Sequence, residues 1–243
     1  MGKGFPFWLA LLLVAGCHSS SQRNELLQTR LQLGLDYLAR DNLSAAGRNL
    51  HQAVVLAPKD YRVQLAIARF YQRSDNPVAA SEHYQKALLL AGQNRDVINN
   101  YGAFLCSLGQ YDAAQQQFSK AAELPENGVL ADARENAGYC YLLAGEQDRA
   151  RTALVEATQN AVDKGKALLA EAERRFGKNE REVSRLLLDV YQRNFSASAE
   201  SLWLEIRFAA LAQQPEGVKL AGAQLARNFP QSIQHLHYLA NEY

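Results

Sequence analysis

From Gly34 to Ala121, small and large apolar positions return at a fixed interval of 34 residues. Gly34 leads to Ala68 and Gly102, Ala46 to Ala80 and Ala114, Leu50 to Tyr84 and Phe118, and Ala53 to Ala87 and Ala121. Tyr37 and Tyr71 keep the same step. A period of this length marks one supersecondary unit copied along the chain; a single copy cannot bury its apolar face, so copies must stack. Small residues let the two helices of a hairpin approach closely, and large ones fill the space between hairpins. Pro58 and Gly92 fall at the ends of second helices and stop them by different means.

Thirty-four residues is the length of a tetratricopeptide repeat, and these are its signature positions. A fourth copy carries Gly138, Tyr141, Ala150, Leu154 and Ala157, after a connector lengthened by two residues around Pro125-Glu126-Asn127-Gly128. A fifth, weaker copy places Ala167, Ala170, Arg174, Val183, Leu187 and Val190 at corresponding positions. In a degenerate sixth, Leu202, Trp203 and Ile206 lie on the first helix, and Phe229-Pro230 close the second. The expected fold is all-α, a right-handed α-solenoid of about six tetratricopeptide hairpins over residues 25–243. Sparse glycine and proline agree with it, as does the lack of any alternating Val/Ile/Thr-rich segment.

The N-terminus reads as an address. Met1-Gly2-Lys3 is positive, Phe5 to Val14 is apolar apart from Pro6, and Val14-Ala15-Gly16-Cys17 resembles a lipobox. The apolar run is shorter than the roughly 20 residues of a membrane span. We therefore expect a signal peptide over 1–16, lipidation of Cys17, and a flexible tether over 17–24. One acyl chain anchors only marginally; the three of a mature bacterial lipoprotein hold firmly. His18, in place of an aspartate, points by resemblance to enteric lipoproteins toward the periplasmic face of the outer membrane.

Charge changes little: 26 basic against 25 acidic residues give no electrostatic footprint for nucleic acid. No zinc motif, phosphate loop or nucleophile elbow occurs, and the five histidines are scattered. These features predict no enzyme, cofactor, metal or small-molecule substrate. Beyond Cys17 there remain Cys106 and Cys140, at one level on the first helices of neighbouring repeats. Two readings stand: a disulfide in an oxidising compartment, or two buried reduced thiols.

A binding chain of this kind would use the groove lined by first helices. The register assigns to it Leu31, Leu35 and Leu38; Arg62, Leu65, Arg69, Gln72 and Arg73; Asp96, Asn99, Ala103, Cys106 and Ser107; and Asp132, Glu135, Tyr139, Leu142 and Leu143. Repeat 1 would be apolar at groove and core positions alike, since Leu33 and Tyr37 would serve the interior; a partner or the segment around Leu26 and Leu27 would cover it. Arg62, Arg69 and Arg73 beside Asp96, Asp132 and Glu135 form a mixed-charge stripe, either a solvated face or a device that orients a peptide. Asn100 and Asn136 share a repeat position at which peptide-binding tetratricopeptide domains grip the ligand backbone, a grip that Gln32 and Ala66 in the first two repeats would leave partial; a helix-capping or inter-repeat hydrogen bond is the other reading.

The run Asn99-Asn100-Tyr101-Gly102-Ala103-Phe104-Leu105-Cys106, followed by Gly109-Gln110-Tyr111-Asp112-Ala113-Ala114, resembles the third repeat of the type IV pilus biogenesis lipoproteins. Glu135-Asn136-Ala137-Gly138 with Cys140 resembles the fourth, and the lipobox, the length and the closing Ser201 to Ser232 segment are similar as well. The resemblance implies a pilotin, an outer-membrane lipoprotein that binds subunits of the pilus secretin and promotes their localisation and assembly. The alternative is a tetratricopeptide adaptor for peptidoglycan hydrolases or synthases.

Overall fold

A computed structural model of the chain describes residues 14–124, 130–159, 161 and 163–243. Among these the fold is all-α, built of six helical hairpins and a short final helix. The pairs are α1 (Val14–Ala39) with α2 (Leu43–Leu56), α3 (Tyr61–Arg73) with α4 (Pro77–Ala91), and α5 (Arg95–Ser107) with α6 (Tyr111–Glu123). There follow α7 (Leu130–Leu143) with α8 (Gln147–Thr158), α9 (Lys164–Gly177) with α10 (Arg181–Asn194), α11 (Ala199–Leu211) with α12 (Pro215–Asn228), and α13 (Ile233–Leu239). Packing divides the chain into two compact units, Met1–Tyr101 and Gly102–Tyr243. Most of the expected signal peptide, and the connector around Pro125, lie outside the described residues.

One pairing rule builds most hairpins. A small residue on the first helix faces a large one 16 positions later on the second. A Cβ added to Gly34 would lie 2.5 Å from Leu50 Cδ2, one on Gly102 2.8 Å from Phe118 Cε1, and one on Gly138 2.6 Å from Leu154 Cγ. The large members are buried, flanked by buried Ala46 and Ala53, Ala114 and Ala121, and Ala150 and Ala157. Ala68 and Tyr84 are the buried pair of the second hairpin.

The turn inside each hairpin repeats as strictly. Asp41, Asp75, Gly109, Gly145, Asn179 and Gln213 all have φ between 55° and 80°. The following amide closes each first helix onto the carbonyl five residues back, from Asn42 to Tyr37 (2.9 Å) through Gln214 to Ala209 (2.9 Å). This is the Schellman closure, which satisfies the terminal carbonyls. Asn42 and Asn76 then cap α2 and α4 through their side chains.

The fifth and sixth hairpins correct the expected register. In the fifth, Ala172, Ser184, Leu188 and Tyr191 are the buried positions, 34 residues after Gly138, Ala150, Leu154 and Ala157, whereas Ala167, Ala170 and Arg174 are exposed and Val183 only half-buried. Two circumstances hid this. Ser184 stands at a small apolar position, its hydroxyl donating to the Ala172 carbonyl (2.8 Å). Leu186, Leu187 and Val190 are buried too, because α10 packs on α8 as well as α9. In the sixth hairpin the size rule is inverted: Ile206 holds the small position and Gly222 the large one. A Cβ on Gly222 would lie 2.1 Å from the Tyr238 ring, so α13 fills that space.

Residues 17–24, expected as a flexible tether, belong to the continuous helix α1. Arg23 ties this segment down, donating to the Leu56 carbonyl at the end of α2 (2.8 Å). Cys106 and Cys140 form the disulfide, with their Cα atoms 5.8 Å apart. No buried side-chain nitrogen or oxygen among the described residues lacks a hydrogen-bond partner.

Two expectations test this construction. Gln213→Gly removes the penalty of a bulky residue at positive φ and should raise stability by about 0.5–1 kcal/mol, read from the urea midpoint; Gly145→Ala should lower it by about 1 kcal/mol. Replacing Cys106 and Cys140 by alanine releases a 34-residue loop, which loop-closure entropy puts at about 4 kcal/mol.

Candidate protein-binding surfaces

In the first unit, α1 turns its leucines inward. Leu27, Leu31 and Leu38 are buried, and Leu27 and Leu31 share a core with Leu50, Ala53, Val63, Ala66 and Ile67; Leu35 packs against that core half-buried. Leu31, Leu35 and Leu38 are therefore core residues and not an open groove. Leu33, expected inside, is 37% exposed. The cause is tertiary: α3 as well as α2 packs on α1, so two neighbours close the leucine stripe. The apolar surface of this hairpin lies elsewhere, in a recess lined by Leu26, Arg30, His51, Gln52, Val55 and Leu56, with Leu26 and Val55 exposed.

The α3 stripe is exposed at Arg62, Arg69 and Arg73, with Leu65 half-buried. Arg62 grips Asp60 with two nitrogens (2.6 and 3.1 Å), and Arg73 pairs with Asp41 (2.7 Å). Asp60 also accepts the Arg62 amide and so caps α3 (2.9 Å); the Arg62 side chain, against some burial, holds its carboxyl below the usual range. Asp96 is exposed and Asn99 buried. Asn100 donates to the Asp96 carbonyl one turn back in the same helix (2.7 Å), which is neither a cap nor a bond between repeats.

An aromatic cluster escaped the sequence pattern. His51 meets Phe70 and Tyr71 edge-on, and Tyr71 stacks on His83 at 5.4 Å. His83 Nδ1 bonds Gln64 (2.7 Å), and burial pushes its pKa below the ordinary value. The residues come from three helices and share no repeat position, so no periodicity could gather them.

In the second unit the charges answer one another. Lys164, in the first turn of α9, reaches back to Asp132 (2.6 Å) and Glu135 (2.5 Å) on α7. Arg175 joins Glu171 and Glu180, and Arg207 on α11 pairs with Glu173 on α9 (2.8 Å). Tyr139 sits half-buried against the core of α9 and α10, its phenol driven well above the ordinary value by burial and then by Glu135 and Glu171. Asn136 and Leu142 are half-buried beside it, and Leu143 is exposed. Cys106 is buried in its disulfide and lines no groove. Of the three acidic residues expected to read a peptide's charge, Asp132 and Glu135 are thus held by the next repeat, while Asp96 stays exposed. Among the described residues no cluster of His, Cys, Asp or Glu could hold a metal, and no helix is long and apolar enough to cross a membrane.

No protein-family model matches the chain. The type IV pilus assembly protein PilF of Pseudomonas aeruginosa is 28% identical over 248 residues, covering 97% of each chain. An uncharacterized protein of Haemophilus influenzae is 34% identical over 144 residues, 59% of this chain and 80% of that one. The solved structure of Pseudomonas aeruginosa PilF superimposes with a TM-score of 0.61 at 27% identity, covering 90% of this chain and 99% of that one. PilW, described as a widely conserved type IV pilus biogenesis factor, gives 0.60 at 23% identity over 88% and 98%, a likeness of fold.

Leu31→Glu should unfold the first hairpin's core, lowering stability by about 3 kcal/mol or more, while exposed Arg69→Ala should stay within about 0.5 kcal/mol. Burial pulls the Lys164 ammonium down, but Asp132 and Glu135 together hold it above its ordinary value. Its contribution is complete below the ordinary lysine pKa of about 10.4 and is lost as pH rises from there through the raised one. Lys164→Met should therefore cost about 1 kcal/mol, nearly constant from about pH 6 to 9, with wild type losing that advantage above about pH 10.

Proposed function

We propose that this chain, homologous to PilF along 97% of its length, is a pilotin, a lipoprotein that binds subunits of the pilus secretin and promotes their assembly in the outer membrane. The observation that carries this reading is the match to PilF along nearly the whole of both chains. A partial match would speak only for the repeats, which serve many partners.

The residues support each half of the task. Val14-Ala15-Gly16-Cys17 supplies the signal for a lipid on Cys17, whose side chain lies outside the described residues. Three acyl chains there would fix the molecule to the membrane without a spanning helix. The hairpins supply rigid surfaces, so the work is binding and not catalysis. For the secretin contact we assign the recess of Leu26, Val55 and Leu56, exposed apolar surface flanked by Arg30. An apolar segment would bury there, and Arg30, bonded to Asn49 (3.1 Å), would meet an acidic neighbour on it.

The test is a deletion strain complemented with wild type, Cys17→Ala, or a Leu26→Asp/Val55→Asp double variant. Deletion should abolish heat-resistant secretin multimers in outer-membrane fractions. Cys17→Ala should misplace the protein and the multimers. The double variant should keep its fold, since both side chains are exposed, and reduce secretin pull-down at least about tenfold. Undiminished multimers in the deletion strain, with altered cell shape instead, would overturn the reading in favour of a peptidoglycan-enzyme adaptor.

A further inference from the structure

First helices run one way and second helices return, so the first unit has two ends. At one end lie the turns inside its hairpins, Arg40-Asp41-Asn42 and Arg73-Ser74-Asp75-Asn76, all polar. At the other lie the start of α1, the connector from Ala57 to Asp60, and the end of α4 with Gly92-Gln93-Asn94. Contacts tie these last parts together. Arg23 donates to the Leu56 carbonyl (2.8 Å), the connector and Leu90 line one recess, and Asn94 donates to the Tyr61 hydroxyl (3.4 Å).

This connector end is apolar where the turn end is polar. Leu89 is 87% exposed and Leu90 43%, and Pro58 is exposed in the connector. Lys59 follows Pro58, and Lys86 stands one turn before Leu90 on α4; both are exposed. Of the nearby acids, Asp60 is held by Arg62 (2.6 Å), while Glu25 and Asp96 are exposed. The sequence then links this end to the candidate lipid. Cys17 precedes Arg23 by six residues, which cover about 9 Å as part of α1 and at most about 21 Å fully extended. Arg23 is fixed to Leu56, so acyl chains on Cys17 would hold the connector end at the bilayer. The turns stand a further 21 Å or so away, the length of the 14-residue α2.

We propose that the connector end of the first unit docks on the phospholipid surface, with Leu89 and Leu90 at the boundary of headgroups and acyl chains and Lys59 and Lys86 on anionic headgroups. Lipid is the occupant because the anchor delivers this end to it and no other. Exposed leucines beside lysine amines are also what an interfacial surface presents. The inference rests on the reading that Cys17 is acylated and is independent of the secretin. It sets the recess of Leu26, Val55 and Leu56 close above the bilayer, so that a segment docking there is met at the membrane.

For the test, the full chain is produced in a bacterium that processes lipoproteins. It is then reconstituted into vesicles of phosphatidylethanolamine and phosphatidylglycerol that carry spin-labelled lipid. With Cys17 acylated and Cys106 bonded to Cys140, one added cysteine takes a nitrobenzoxadiazole fluorophore. The sites are Gln93→Cys at the connector end and Arg40→Cys at the turn end, both exposed. The label at 93 should shift to shorter wavelength and lose most of its emission to the spin label; at 40 it should do neither. Leu89→Gln/Leu90→Gln should abolish the shift and the quenching at 93, with acylation and melting temperature unchanged. Equal quenching at 93 and 40, or quenching at 93 that survives the leucine double variant, overturns the proposal. So does quenching at neither site, which would leave this end to a protein. A mass spectrum without acyl groups on Cys17 would sink the lipid anchor itself, and the docking with it.

Discussion

The close approach of two helices at one small residue is the constraint on which the rest depends. Where Gly34, Gly102 or Gly138 lets a second helix in, a Leu or Phe from that helix fills the gap, and a single methyl group would collide with it. That contact sets how the two helices of a hairpin meet. With the hairpin defined, the turn must reverse the chain at a set distance, which requires one residue at positive φ per repeat. With the turn defined, the repeat length follows, and equivalent residues of successive repeats come to one level.

Long-range contacts inherit that spacing. The disulfide joins residues 34 apart. Arg207 and Glu173 are also 34 apart, Arg73 and Asp41 are 32, and the bond from Asn194 to Thr158 spans 36. Each ties a side chain to the corresponding level of the next repeat. Exposed pairs of this kind add little individually, but they neutralise charge along the faces of the first helices. Within each unit, hairpins stiffen one another by burying their neighbours' apolar sides. Exposed apolar side chains remain, among them Leu26 and Val55 at the recess of the first hairpin.

How much of this was legible beforehand depends on whether a property is periodic. The all-α fold and the first four repeats follow from sequence alone, because the steric need for a small and a large residue recurs at one interval and leaves the same letters each time. Register in the fifth repeat did not follow, since a serine can stand for an alanine when its hydroxyl finds the Ala172 carbonyl. The sixth was hidden because Ile206 and Gly222 exchange sizes and a residue 16 positions further on, Tyr238, makes up the volume. The orientation of Leu31 and Leu38, the pairing of Lys164 with Asp132 and Glu135, and the joining of Cys106 to Cys140 were decided by tertiary structure. Each depends on which neighbour arrives from another repeat and at what angle, and a helical period alone does not say which of two apolar sides the neighbour will cover.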